Sequence, residues 1–291
     1  FDYFRNTTKD QLMTIPLPAS TGSEDIVVNF GENQNVGYDF SVAGQVIRNK
    51  NWAWTSVING SHVKDRIKQI SDKLKNTAYQ LEEDNPLKLR FREGGSQYDI
   101  YAVRSAGIDP ATGQEIFINK NGEYTFKYDA EDEVVVGNTQ PKLQGTWLNT
   151  LRYKGWSLNF VFSYTFGGDT YNKTLWEKVE DIDPRYNVDE RAFTDRWKNP
   201  GDLSRYLAIK ERHSTTPHNS ERFVERLNEL WLSSATLTYE FQPKFLKRLG
   251  FKRLAVGVGV SDIVRFSTVK YERGTSYPYC RTINLTFRPT F

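Results

Sequence analysis

The sequence predicts an all-β protein, an antiparallel barrel whose strands cross a membrane, with a soluble two-sheet sandwich as the alternative. Three observations lead there. First, apolar and polar residues alternate with period two, as in "RTINLTFRPTF" (281–291), where Ile283, Leu285, Phe287, Pro289 and Phe291 share one face. Second, tight connections such as Lys154-Gly155 alternate with long polar ones such as Gly167 to Asn228, whereas soluble domains rarely hold loops beyond about 12 to 15 residues. Third, aromatic residues, 14% of the chain, gather at strand ends, as membrane-interface girdles require.

The strands follow in order. One span ends near Tyr3; residues 38–47 and 52–59 form a hairpin through Arg48 to Asn51, with Tyr38, Phe40, Val42, Gly44 and Val46 facing Trp52, Trp54, Ser56 and Ile58. Residues 143–153 put Leu143, Gly145, Trp147, Leu151 and Tyr153 on one face, and 156–166 answer with Trp156, Leu158, Phe160, Phe162, Tyr164 and Phe166. Only Lys154 and Gly155 join these two, with Gly available for positive φ. Residues 230–241 (Trp231, Ala235, Leu237, Tyr239, Phe241), 254–264 (Leu254, Val256, Val258, Val260) and 281–291 complete eight spans. Eleven residues at about 3.3 Å each, tilted by about 40°, cover roughly 28 Å, close to the ~25 Å apolar band of membrane barrels. The apolar faces carry no Lys or Arg, which would cost about 2 to 4 kcal/mol near the midplane. If the turns at 48–51 and 154–155 lie on the same side, residues 61–142 hold an even number of crossings, or none. The remaining segments, about 5–36, 61–142 and 167–228, are external loops.

Composition narrows the function. Lys plus Arg number 39 against 36 acidic residues, a net charge of +3, which gives no reason to expect nucleic acid. Mean hydropathy is −0.64 and no window holds the eighteen or so apolar residues of a membrane helix; barrel strands escape that measure. The single cysteine, Cys280, allows no internal disulfide and reads as structural. Without an initiator Met or leader, the chain is expected to be a C-terminal piece of something longer. No nucleophile elbow, phosphate loop or Ser/His/Asp order appears, and three histidines leave few options for acid–base chemistry, so the chain is read as no enzyme and without a cofactor.

Ordered blocks carry a further reading. "DYFRNTTKDQLMTIPLPASTG" (2–22), "NVGYDFSV" (35–42), "AGIDPATGQEIF" (106–117), "GNTQPKLQGTWLNTLRYKGWSLNFVFSYTFGGDTYN" (137–172), "RWKNPGD" (196–202) and "ERFVERLNELWLSSATLTYEF" (221–241) resemble successive blocks of the SusC/RagA family, TonB-linked outer-membrane transporters of Bacteroidetes. "FLKRLGFKRLAVGVGVSDIVRFSTVKY" and "YPYCRTINLTFRPTF" resemble its final strands. The sequence departs from the family's pattern at Ser261-Asp262-Ile263 and at Cys280. The resemblance implies that these 291 residues are the C-terminal arc, about eight strands, of a barrel of about 22, lacking the plug and the TonB-binding segment. It implies uptake of oligosaccharide or peptide, energised through TonB, with a SusD-like lipoprotein as lid and outer-membrane lipid around the barrel. Phe287 and Phe291 would be the barrel-assembly signal. Two alternatives stand beside it: a self-closed eight-strand outer-membrane barrel presenting adhesive loops, and a soluble β-sandwich carbohydrate-binding module.

Candidate site residues lie in the long third loop. Tyr171, Trp176, Tyr186, Trp197 and Tyr206 could stack on sugar rings, and Arg185 and Arg205 could hold polar groups, although packing within the loop or against the lid is the favoured reading. His213 and His218 are five apart, which suits no paired metal ligation, and Glu180, Asp181 and Asp183 lack the Gly-punctuated spacing of a calcium loop, so no metal is expected. Asp109-Pro110-Ala111-Thr112-Gly113 reads as a turn. Val63, Ile67, Ile70 and Leu74 fall at helical spacing and predict a loop helix over 63–75.

Overall fold

The structure is a computed structural model and describes residues 1–16, 25–71, 92–183, 185, 188–211, 219–241, 250–270 and 281–291. Its strands are, in chain order, β1 (Asp2–Pro16), β2 (Asp25–Arg48), β3 (Trp52–Ile70), β4 (Asp99–Ala102), β5 (Arg104–Ile108), β6 (Glu115–Ile118), β7 (Tyr124–Thr125), β8 (Val134–Asn138), β9 (Leu143–Tyr153), β10 (Trp156–Tyr171), β11 (Val224–Glu240), β12 (Arg253–Ser267) and β13 (Thr282–Thr290). Eight of them make one antiparallel sheet in the order β1-β2-β3-β9-β10-β11-β12-β13. β3 pairs directly with β9, Ile58 opposite Trp147, so no crossing intervenes between residues 61 and 142. β1 and β13 are the two ends of the sheet, and among the described residues no pairing joins them: the sheet is an open arc.

One face of the arc is oily and uncovered. Val42 is 63% exposed, Ile283 67% and Leu285 82%, with Ile58, Leu237 and Val258 between them also exposed. A sandwich would bury this face beneath a second sheet; among the described residues none lies there, so hydrocarbon is the solvent that suits it. The other face carries Ser41, Asn59, Thr146, Thr150, Asn159, Ser163 and Thr236, as a wet interior requires.

Four local expectations are corrected. Residues 63–70 are strand, not helix, because β3 pairs with β2 as far as Ile70; Leu74 lies outside the described residues. Residues 5–36, expected as a loop, are mostly ladder: β1 and β2 stay paired from Asp2–Asp39 to Pro16–Asp25. Trp231 does not share the oily face with Ala235 and Leu237. A bulge at Ser233 shifts the register, so Phe162 meets Leu232 and Trp231 faces Ser163 on the polar side. Finally, the left-handed residue of the 154–155 turn is Lys154, at φ +52°. Gly155 is required for another reason: a Cβ there would sit 2.7 Å from the Glu240 carbonyl oxygen.

Close approach also explains Gly60 and Gly145, which lie in one row between Phe40 and Tyr164. A Cβ at Gly60 would run into the Phe40 ring and one at Gly145 would sit 2.7 Å from the Tyr164 hydroxyl, and that hydroxyl donates to the Asn59 carbonyl at 2.8 Å. At one end of the sheet the insertions fold into a cap. Here β4 pairs with β8, β5 with β6 and β7, and Leu175, Val179, Ile182, Ala192, Tyr206 and Phe223 form a buried core. Among the described residues the opposite end has only the short turns.

Candidate functional site: the polar wall and its external cap

The polar wall is a ladder of cross-strand hydrogen bonds. Ser41 donates to Asn59 at 2.7 Å, Asn59 to Thr146 at 3.4 Å, and Thr150 to Asn159 at 2.8 Å. Towards the cap the wall gains charge. The Arg265 guanidinium lies 4.6 Å from the Trp231 ring centroid and 3.2 Å from the Glu229 carboxylate. Sequence reading missed this cluster because it placed Trp231 on the wrong face. Where wall meets cap, Phe4, Asn35, Ser61, Tyr98, Gln140 and Gln144 line a recess of about 500 Å³, with no ionisable group among them except the Tyr98 phenol.

The cap is held by two inward-facing arginines, Arg196 buried and Arg222 nearly so. Arg222 reaches Glu115 at 2.8 Å and Glu180 at 2.6 Å, joining β6, the π-helix Trp176–Glu180 and the 3-10 turn Glu221–Phe223 that leads into β11. Ser220 also donates to Glu115. Burial opposes ionisation of both carboxylates. At Glu115 the Arg222 guanidinium and the Ser220 hydroxyl outweigh it and hold the group below the usual carboxylate range. At Glu180 burial wins and, with the neighbouring Glu115 charge, pushes the group up despite Arg222. Arg196, 5% exposed, donates to the carbonyls of Ala192 (2.9 Å), Leu207 (3.0 Å), Val179 (2.7 Å) and Glu180 (2.5 Å). Neither Glu115 nor Arg222 stood out in the sequence, since their pairing spans more than a hundred residues.

The loop candidates divide by burial. Tyr206 is 2% and Trp197 9% exposed. Trp197 donates from Nε1 to the Pro110 carbonyl at 2.8 Å, and its ring lies on Gly113, where φ is +76°. The Asp109–Gly113 turn is thus formed, closed by Gly113 donating to the Asp109 carbonyl at 2.8 Å. Tyr171 and Trp176 pack on the cap core, and burial pushes the Tyr171 phenol up to about 12. Arg205 pairs with Glu225 at 2.9 Å, and Arg185, 80% exposed, with Asp183 at 2.6 Å. Tyr186, His213, His218 and Cys280 lie outside the described residues. Among the described residues no three His, Cys, Asp or Glu side chains converge, and Glu180 and Asp183 are each engaged by arginine.

No family model matches the chain. Two TonB-dependent receptors of Formosa agariphila, P39 and P3, are similar to it: 24% identical over 308 residues and 25% over 288, covering 91% and 92% of this chain. The chain spans less than a third of their length, 30% and 28%. Among solved structures, the RagAB peptide transporter matches with a TM-score of 0.73 at 19% identity, covering 92% of this chain and 29% of that one. The RagAB peptide importer in its "closed-closed" state matches with a TM-score of 0.72 at 20% identity, again over 92% of this chain. Relatives on the sequence side are receptors and on the structural side transporters, not enzymes. With an open eight-stranded arc as its fold and such relatives along nearly its whole length, the chain is similar to part of the barrel of TonB-dependent receptors and shares the fold of that part of the RagAB transporter.

Proposed function

We propose that the chain forms the last part of the wall, and part of the external mouth, of an active nutrient importer in the outer membrane. One observation carries this reading: among the described residues, a single-layer arc with an uncovered oily face, a hydrogen-bonded polar face and a folded cap at one end. Such an arc separates hydrocarbon from a wet passage and roofs one end of it. Relatives named for TonB and for peptide import support energy delivered through TonB to a plug, and a peptide or oligosaccharide as cargo. A SusD-like lipoprotein fits as lid. The cap presents Tyr124, 73% exposed, and Leu203, 91% exposed, as apolar contacts for it.

Within this reading Tyr171, Trp176, Trp197 and Tyr206 stiffen the cap from inside, while Arg185, Arg205 and, by its place in the same loop, Tyr186 are left for lid or cargo. Phe287 and Phe291, 63% and 73% exposed on the oily side, remain the proposed assembly signal. The self-closed adhesive barrel is not supported by ends that stay unpaired, nor the soluble carbohydrate-binding sandwich by an uncovered oily face. The test is growth of the source bacterium carrying the full-length gene with Leu203→Asp and Tyr124→Ser, on peptide or on glycan as sole source. Lost growth on one of them, with normal barrel insertion and weaker co-purification of a lipoprotein, is expected; unchanged growth on both, or a lipoprotein that binds equally well, contradicts the lid.

A further inference from the structure

The oily face ends at the cap side in a ring of aromatics. Tyr3 pairs with Tyr38 and Tyr38 with His62; Phe1 stacks on Tyr38 at 6.0 Å, and the His62 and Tyr38 rings are 5.1 Å apart. This is the level at which Phe166 closes β10's oily face, one residue beyond the Ser61–Gln144 pair. β1, β2 and β3 do not stop there. Their ladder continues, and the register decides what the outward face carries next. Arg5 pairs with Val36 and Val36 with Lys64; Thr7 pairs with Gln34 and Gln34 with Arg66. Arg5, Lys64 and Arg66 therefore stand on the same side of the sheet as the oily face, two and four residues above the aromatic ring, and all three are exposed. Gln34, accepting from Arg5 at 3.3 Å and donating to Thr7 at 3.1 Å, fixes Arg5 on this side. The opposite side of the same stretch of β3 is inward and buried: Asp65 is 4% and Ile67 0% exposed. Lys64 and Arg66 form no ion pair with a described residue. Among the described residues of the β2–β3 ladder, Glu32 is an acid on the outward face, at the level of Gln69.

Two to four residues at about 3.3 Å, tilted by about 40°, rise roughly 5 to 10 Å above the ring, the depth of the headgroup layer beyond a hydrocarbon core. We propose that this outward basic face of β1–β3 docks the phosphate of a lipid headgroup in the leaflet on the cap side. Charge complementarity selects the phosphate, and continuity with the oily face selects a lipid as its source, since the acyl chains of the same molecule would lie on Tyr3, Tyr38 and Val42. The proposal rests on the membrane reading above.

The test uses the full-length receptor containing this chain, purified in neutral detergent, with diphosphorylated lipid A as probe and inorganic phosphate as the other arm, read by native mass spectrometry. Wild type is expected to hold lipid A, with adducts falling as salt rises. The Lys64→Gln/Arg66→Gln pair is expected to lose about 25-fold in retention, about fivefold per charge, while Lys64→Arg/Arg66→Lys keeps it. Arg152→Gln, on the polar face, leaves retention unchanged. Equal retention by the Gln pair, or adducts indifferent to salt in wild type, overturns the proposal. So does binding of inorganic phosphate with matching affinity, which would mark a free-anion site. Heat-modifiable migration and nanodisc insertion, scored on the same samples, report the barrel separately, so that a failed membrane reading is distinguishable from a failed lipid site.

Discussion

Asn149 occupies the middle of the oily face, 2% exposed, at a position where hydrocarbon would penalise a bare amide. Two indoles hide it and its neighbour: Trp54 donates from Nε1 to Asn149 Oδ1 at 3.0 Å, and Trp147 donates to Ser56 Oγ at 2.8 Å. Each ring turns its N–H inward and its carbons outward, so the polar atoms of β3 and β9 meet beneath an aromatic cover. Asn149→Ala leaves the Trp54 N–H unpaired, and the expected loss is about 1 kcal/mol. Replacing both partners, Asn149→Leu with Trp54→Phe, is expected to cost less than the two single changes together, a coupling read from urea midpoints of the full-length barrel. In the cap the stakes are higher. Arg222→Met strands Glu115 and Glu180, both nearly inaccessible, without their shared cation, and loss of one partner of such a buried set costs about 3 to 5 kcal/mol. The expected result is protease sensitivity between residues 96 and 223 with the barrel still migrating as folded; an intact cap counts against the bridge.

At the scale of elements, one residue redirects a strand. Ser233 is the extra residue of β11, and its hydroxyl donates to the Val161 carbonyl at 3.0 Å, occupying an acceptor that the bulge frees from the ladder. Beyond it Leu232 and Leu230 take the oily side and Trp231 the polar one. Deleting Ser233 removes only the extra residue, so alternation then runs unbroken with Leu232 still on the oily side and Trp231 still on the polar one. The expected outcome is an assembled barrel that keeps the Trp231–Arg265 contact, with tryptophan quenching by lipid-borne bromine like wild type; a rise in quenching, as Trp231 changes face, argues against the bulge. A second bulge explains the misread helix. In β3 the inward residues are Val63, Asp65 and Ile67, and an irregularity before Gln69 brings Ile70 inward again. Asp65 interrupts the apolar row because it is buried on partners far in sequence: Asn33 (2.5 Å), Ser96 (2.9 Å) and the Gln97 amide (2.8 Å). With Asp65 read as a surface charge, Val63, Ile67 and Ile70 match a helical face, and nothing local contradicts it.

At the scale of the whole molecule, cap and arc are stabilised by different means, and pH separates them. The arc relies on lipid and on backbone ladders, neither of which titrates. The cap contains carboxylates ionised against arginine: Glu115, held low by Arg222 and Ser220 against its burial, and Asp189, which the Arg191 hydrogen bond lowers to about 2. A depressed folded-state value means stability that is complete above the ordinary carboxylate range, about 4, and is lost as pH falls through the folded value. Glu180, pushed up, contributes with the opposite sign, and its change lies above the ordinary carboxylate range and is complete before this loss begins. Between about pH 4 and pH 2 the cap is therefore expected to open while the barrel stays closed, seen as cap-specific hydrogen exchange in the reconstituted receptor; simultaneous loss of both would show that they do not separate.

The sequence by itself determined most of the long strands, the oily side over most of their length and the hairpin ends, because alternation and turn residues are local and a membrane band sets a common strand length. Five of the eight expected spans lie within the observed strands β2, β3, β9, β10 and β12, while 230–241 overruns β11 by a single residue at one end and 281–291 overruns β13 by a single residue at each end. Only the tertiary structure decided that Trp231 faces the passage, that Asp65 is buried, that Glu115, Glu180 and Arg222 meet, and that Arg5, Lys64 and Arg66 share one outward face. Each of these depends on register or on pairing across distant segments, and a single bulge moves every side chain beyond it to the opposite face.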